Sequence, residues 1–558
     1  EPLTNESPAL AGNRARQRGI RECKIERSKV SPASAGNGAH SAGFVSITQQ
    51  KNKQEIFMSS LNFRKHRNRR GFFFRLSRHL PTFIVLLIIA LVLGGGIFAF
   101  SHFVLKQQPG SQPASATASQ ANRKPDKNDS SDTNTKDEDA TDILIAQADR
   151  IAKSYDYDKA IELLQQDASL AADPRIEEAI STYQSEKDAL VPADVKNVTH
   201  VFFHSLIMDT SKAFDGDSRS AGYNSVMTTK DEFLKILDAL YNDGYVLVHI
   251  HDIAYETTNE GGNPVFTWGT IMLPEGKKPI VMSQDDVCYY PYMDGDGFAS
   301  KIVIGEDGRP TCEMKLENGT TATGSYDLVP LLNDFIDEHP DFSYKGAKAI
   351  IALTGYEGIL GYRTASSYSE SPDYESEREQ AAKVAQCLRD DGWELASHSW
   401  GHLWMGVSGD PQNPYKISDE RFYTDTDKWA NEVETLIGPT DIYIYPNGND
   451  IADWHPYTDE NYRYQYLASK GFRYFCNVDA SKPSWIQMGH DYLRMARRNL
   501  DGYRLYEDMI QEDPVKKRLS DLFDSSQIFD PSRPTPVTWS YGQTQNETPA
   551  EETTASQQ

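Results

Sequence analysis

The sequence predicts an α/β protein: a mostly parallel sheet wrapped by helices over residues 197–510, preceded by a transmembrane helix and a small helical hairpin. Three observations predict it. Short β-branched runs alternate with amphipathic helical runs, and glycines sit at the helix stops. An uncharged apolar stretch runs from His79 to Leu105, and at 1.5 Å per residue about 20 such residues cross the hydrocarbon core. Charge is divided around that stretch. Residues 1–80 carry 16 Lys/Arg and 5 Asp/Glu, a net of +11 against −24 for the whole chain, so the rest carries −35.

Composition narrows the classes further. With 39% hydrophobic and 25% charged residues in 558, the chain is not a multi-span membrane protein. Five cysteines are too few for a disulfide-stapled scaffold. The net charge of −24 argues against nucleic acid as a partner, which needs a basic footprint.

Taken in order, residues 1–80 read as a basic cytoplasmic tail. Residues 1–57 show no helical or strand periodicity, and Met58 stands just before the basic run, so an over-extended reading frame is the expectation there, with a disordered tail as the alternative. Arg64, Lys65, Arg67, Arg69, Arg70, Arg75 and Arg78 precede the apolar stretch without an acid among them. The positive-inside rule then leaves the N-terminus in the cytoplasm and everything after 105 outside the cell membrane. Residues 106–140 are polar and predict a disordered stalk. Residues 141–190 have apolar positions at helical spacing, and "YDYDKAIELL" looks like one tetratricopeptide-type helix pair. One pair is too few for a solenoid, which leaves a spacer or a protein-docking element.

The body begins with "VTHVFFHSLIM" as a strand and "TKDEFLKILDALYNDG" as a helix. Strands follow at "YVLVHIHDI", "PIVMSQDD", "GAKAIIALTG", "WELASHS", "DIYIYPNG" and "FRYFCNV", with helices at "EREQAAKVAQCLRDDG" and "NYRYQYLASKG". The pattern fits a barrel or an open doubly wound sheet, and in both the chemistry sits at the C-terminal strand ends. Residues 296–326 read as a β-hairpin insertion, and 511–558 as a disordered tail.

Three strand ends carry chemistry-bearing residues. His398 and His402 sit four apart, a spacing that puts both imidazoles on one face of a helical turn. Asp285 and Asp286 end an apolar strand, where two adjacent carboxylates need a cation, hydrogen bonds or solvent to stay ionised. One carboxylate with two histidines would leave a divalent metal an open position, and the second carboxylate could act as a general base. Tyr445, Pro446 and Asn447 form a strand-end turn whose backbone N–H groups could hold a developing oxyanion. His249 and His251 read as hydrogen-bonded strand histidines. Cys288, Cys312, Cys387 and Cys476 would lie outside the membrane and allow one or two disulfides.

The order of these motifs resembles the polysaccharide deacetylases, the chitooligosaccharide-deacetylase homology family (carbohydrate esterase family four). "SQDD" is similar to the family's Thr-Phe-Asp-Asp, "HSWGH" matches its His-(Ser/Thr)-x-x-His, and "YPNG" is similar to its Tyr-Pro-Tyr-Gly. The resemblance covers roughly residues 198–505. It implies a distorted (β/α) barrel with fewer than eight full units. It implies Asp286, His398 and His402 as ligands of Zn²⁺ or another divalent metal such as Co²⁺, Asp285 as the base that activates water, and the backbone around Tyr445 and Asn447 as the oxyanion donors. It also implies a histidine near the end of the domain as general acid, and His490 in "IQMGHDYLRM" is the residue offered. The sequence departs from the family at Gln284 and Asn447, which replace aromatics. Ile444 stands where an arginine often partners the base. The function implied is removal of acetyl groups from N-acetylated or O-acetylated cell-surface polysaccharide by a membrane-anchored, outward-facing enzyme. The alternative is a glycan-binding or scaffold protein on the same fold.

Overall fold

A computed structural model describes residues 139–166, 170–406 and 417–539. The basic tail, the apolar stretch 81–105 and the stalk to residue 138 lie outside the described residues. Among the described residues no helix is long and apolar enough to cross a membrane.

Eight parallel strands build the centre: β1 (Thr199–Phe203), β2 (Tyr245–Leu247), β3 (Lys278–Gln284), β4 (Ile350–Leu353), β5 (Glu394–Ser397), β6 (Ile442–Ile444), β7 (Tyr474–Val478) and β8 (Leu493–Asn499). Seven of them close into a ring in the order β4-β5-β6-β7-β8-β1-β3, with β3 returning to β4. The eighth, β2, shares an edge of β3 with β4. It pairs Tyr245 with Lys278 and Leu247 with Ile280, whereas β4 takes the upper part of that edge through Ile350–Ser283 and Ile351–Gln284. The sequence left barrel and open sheet as alternatives, and the β3–β4 pairing decides for a closed barrel. β2 ends early because the chain turns into a helical turn at Ile250–Ile253.

Both faces of these strands are covered, which is why they read as apolar runs. Ile280 and Met282 of β3 pack outward with α4 (Lys230–Asn242) and α5 (Leu328–Glu338), while Val281 packs inward. Continuing that two-residue alternation sends Ser283 and Asp285 toward the barrel axis at its C-terminal mouth. The same parity carries Ala396 to His398 on β5 and Met495 to Arg497 on β8. Helices α6 (Tyr374–Asp390), α7 (Asp419–Trp429) and α8 (Tyr462–Ser469) complete the outer layer, and α9 (Gly502–Ile510) follows β8.

Three departures from the sequence reading concern the periphery. The expected helical hairpin is three helices, Ala140–Lys153, Tyr157–Gln166 and Pro174–Asp188. Their apolar residues share one cluster with the barrel interior. They sit at its N-terminal end, where the Lys345 N–H donates to the Ser154 carbonyl at 2.7 Å. The insertion is a three-stranded antiparallel sheet, Lys301–Ile304, Pro310–Lys315 and Thr321–Gly324, not a hairpin. Residues 511–539 are packed, correcting the expected disorder there. Leu519, Leu522 and Ile528 are buried, and Arg533 makes a fully buried ion pair with Glu232 of α4 at 2.6 Å. The segment is held because it supplies partners that polar side chains under it need. Cys288, Cys312, Cys387 and Cys476 are all free thiols, so no disulfide forms among them.

His249 and His251 are hydrogen-bonded as expected, though at a helical turn and not along a strand. His251 is held between Glu394 and Asp441, 2.9 Å from the latter, and lines a cavity of about 480 Å³ at the N-terminal end of the barrel. Burial works against its charge, but the two carboxylates prevail and raise its pKa from 6.5 to about 10. A histidine raised in the folded state contributes stability fully below its unfolded pKa and loses it as pH rises through the folded one. The wild-type melting temperature is therefore expected to fall between pH 7 and pH 10 more steeply than that of His251→Gln. Parallel curves would contradict the clasp.

Candidate metal centre

Asp286 follows β3 by two residues and adopts φ +58°, which turns its carboxylate across the barrel mouth. Its Oδ1 lies 3.6 Å from His402 Nε2 and 3.9 Å from His398 Nε2. Ligand atoms from these three residues all lie within 4.8 Å of one another. Ligands about 2.0–2.1 Å from a tetrahedral zinc stand about 3.4 Å apart, so small side-chain adjustments would seat an ion.

The donor chemistry fits a metal as well as the spacing does. The Ile444 carbonyl accepts from His398 Nδ1 at 2.9 Å, which fixes that nitrogen as the protonated one and turns the Nε2 lone pair toward Asp286. Burial, only partly offset by Asp285 and Asp286, lowers the His398 pKa to about 4. The ring is neutral at physiological pH, as a ligand must be. Burial pushes the Asp286 carboxyl up, but His402 and His398 outweigh it and hold the pKa below its usual value.

His398 and His402 do not converge on a helical turn as their spacing predicts. The chain makes an irregular turn in which Ser399 (φ +57°) and His402 (φ +51°) are left-handed. Asp425 of α7 clamps it, accepting from the Trp400 and Gly401 N–H groups at 2.8 Å each. Gly355 leaves room for the Trp400 indole, because a Cβ there would stand 2.3 Å from its ring. The imidazole centroids end 5.1 Å apart.

Asp285 is nine-tenths or more buried, and Arg497 of β8 grips it with two bonds, Nη1 to Oδ1 at 2.6 Å and Nη2 to Oδ2 at 2.8 Å. Arg497 Nη1 also donates to Ser283 Oγ at 3.1 Å. Burial opposes the ionised carboxylate, but the Arg497 guanidinium overcomes it and holds the pKa well below the carboxylate range. The resemblance leaves Asp285 without an arginine partner, because Ile444 stands at the position expected for one. The structure supplies it from another strand, and Ile444 serves instead through its carbonyl.

A second residue escaped the sequence reading. β1 lies beside β3 in register Phe203–Gln284, and the Asp285 N–H donates to the Phe203 carbonyl at 2.8 Å. His204 is the next residue, so it stands next to Asp285 at the barrel mouth. The Val226 carbonyl, 3.1 Å away, accepts from its Nδ1 and leaves Nε2 as the nitrogen available to the site. A histidine directly after an apolar strand was the available signal.

The remaining expected residues are not brought together as predicted. His490 sits in the turn before β8, at the N-terminal end of the barrel, with its side chain 70% exposed and paired with Asp491. It is at the opposite end from Asp285. The Tyr445 N–H is spent on the Cys476 carbonyl at 2.9 Å, its hydroxyl meets Tyr457 at 2.8 Å, and Pro446 has no N–H to give. Asn447, the third of the expected oxyanion residues, is half-buried at φ +57° in the turn after β6.

No family profile matches the sequence, and no curated protein does. Six chains among solved structures are similar at a distance, two of them as follows. One is the structure of IcaB from Ammonifex degensii, at 14% identity and a TM-score of 0.27, covering 55% of this chain and 92% of that one. The other is morphinone reductase in complex with tetrahydroNAD, at 10% identity and a TM-score of 0.18, covering 52% and 72%. Likenesses this remote carry no argument, and the chemistry has to be read from the site.

Proposed function

We propose that this protein is a metal-dependent hydrolase that removes acetyl groups from an N-acetylated or O-acetylated polysaccharide at the cell surface. The observation that carries the reading is the meeting of Asp286, His398 and His402 beside a buried, ionised Asp285. The sequence motifs around the same four residues support the acetyl substrate. Asp286, His398 and His402 would hold Zn²⁺ or a similar divalent ion, whose Lewis acidity favours ionisation of water and draws charge onto a carbonyl oxygen.

The protein's own residues do the rest. Asp285 accepts the proton of water as its oxygen attacks the acetyl carbonyl carbon. Arg497 keeps Asp285 ionised and fixes which way its oxygens face. His204 gives a proton from Nε2 to the amine nitrogen as the carbon–nitrogen bond breaks, and acetate leaves. His204 takes the acid role that the sequence offered to His490. The same transfer to an alkoxide oxygen serves an ester.

The setting belongs to the same proposal. The apolar stretch 81–105 anchors the chain with its N-terminus in the cytoplasm, and the acidic body works outside the cell membrane on wall glycan. The test is acetate release by the full chain in detergent from N-acetylglucosamine oligomers and acetylated wall polysaccharide. Release that needs Zn²⁺ or Co²⁺, stops with chelator and returns on readdition is expected. A metal-loaded protein that releases acetate from neither class would contradict it.

A further inference from the structure

Asp327 stands at the N-cap position of α5, where an Asp carboxylate ordinarily accepts from the backbone of the first turn. Its side chain makes no cap hydrogen bond. Its Oδ1 instead accepts from the Leu206 N–H at 2.9 Å, and its Oδ2 from Gln284 Nε2 at 2.9 Å and the Tyr289 hydroxyl at 2.6 Å. Asp327 is wholly buried. Burial pushes the Asp327 carboxyl up, and the three converging donors oppose that shift, because they suit the ionised form, which only accepts.

Each donor belongs to a stretch that carries part of the site. Leu206 follows His204 by two residues. Gln284 immediately precedes Asp285. Tyr289 precedes Tyr290, whose hydroxyl donates to Asp286 Oδ1 at 3.2 Å. The turn between them is strained, with Asp286 at φ +58° and Tyr289 at φ +51°. Residues with side chains visit that region seldom, and a bulky aromatic less than an aspartate. Such a turn persists only where surrounding structure over-determines it. The bond from Tyr289 to Asp327 lies at its far end, and the bond from Gln284 at its start.

We propose that Asp327 is a positioning residue of the metal centre. It ties the Asp285–Asp286 turn and the His204 strand end to one buried anchor, so that Asp286 meets the two histidines. The inference rests on the reading of the triad as a metal site.

Co²⁺ is the probe, because its visible absorption reports the ligand geometry. Asp327→Asn keeps the shape but sets an amide N–H₂ against a cluster of donors. Its Co²⁺ affinity is expected to fall about 10-fold or more, in the range seen for residues that orient metal ligands, with an altered visible band. Tyr289→Phe removes one hydroxyl and is expected to shift both readouts the same way by a smaller factor. If Asp327→Asn fails to fold, Tyr289→Phe decides alone. A purely structural role would lower the melting temperature and leave the Co²⁺ affinity and spectrum of the folded variants at wild-type values, which would overturn the proposal. Wild-type protein that binds Co²⁺ and releases no acetate contradicts the deacetylase reading only, and the spectra still decide Asp327. Wild-type protein that binds no Co²⁺ overturns both.

Discussion

Asp285→Asn is expected to lower acetate release about 10²–10⁴-fold, the usual contribution of a positioned general base. The amide has nearly the same shape and can still accept one bond from Arg497, but it takes no proton from water. Metal affinity should change little, because the group of mutually close ligand atoms is that of Asp286, His398 and His402 and does not include Asp285. The substitution also leaves the buried Arg497 without a counter-charge, so the variant is expected to be less stable, and rates should be compared on protein shown to be folded. Acetate release within a few-fold of wild type would remove Asp285 from the chemistry.

Arg497→Met carries the largest expected loss of stability. The side chains of Arg497 and Asp285 are 1% and 4% exposed and joined by two bonds. Removing one member of such a pair strands the other charge in the interior, and the destabilisation is about 3–5 kcal/mol. Methionine fills much of the volume, so the loss reports the charge more than a cavity. The bond to Ser283 and the contact of the guanidinium with the Phe202 ring, 4.2 Å to its centroid, are lost as well. Urea unfolding measures the effect. The exposed pair Lys383–Glu379 on α6 is a fair control, since a solvent-screened surface pair contributes little to stability. A loss below about 1 kcal/mol for Arg497→Met would contradict the paired state of Asp285.

What the sequence made legible follows physical lines. The parallel strands were legible where both faces are apolar, as in β3 and β4. β8 was not, because Arg494, Arg497 and Arg498 make it look like surface. Each arginine is buried only because an aspartate far along the chain pairs with it: Asp450 at 2.9 Å, Asp285 and Asp521 at 2.6 Å each. No local pattern announces such partners. That is also why no arginine partner for Asp285 is legible in the sequence, and why residues 511–539, which supply Asp521 and Arg533, read as a tail.

The triad was legible because Asp286, His398 and His402 each lie just past the end of a strand, and parallel strands in a barrel bring those ends to one mouth. The means of convergence were not. Two left-handed residues and the Asp425 clamp replace the helical turn that four-residue spacing suggests. His490 misled because nearness in sequence to the last strand says nothing about which end of it a residue occupies. Tyr445 misled because its N–H, open in a turn, is spent on the neighbouring strand.

The proposed chemistry requires one ion at the barrel mouth. Calorimetric titration of metal-stripped protein with Zn²⁺, repeated with His398→Ala and His402→Ala, measures it directly. One ion per chain in the wild type, and loss of that binding in either variant, is the predicted result. Stoichiometric binding that survives both substitutions, or none in the wild type, would contradict it.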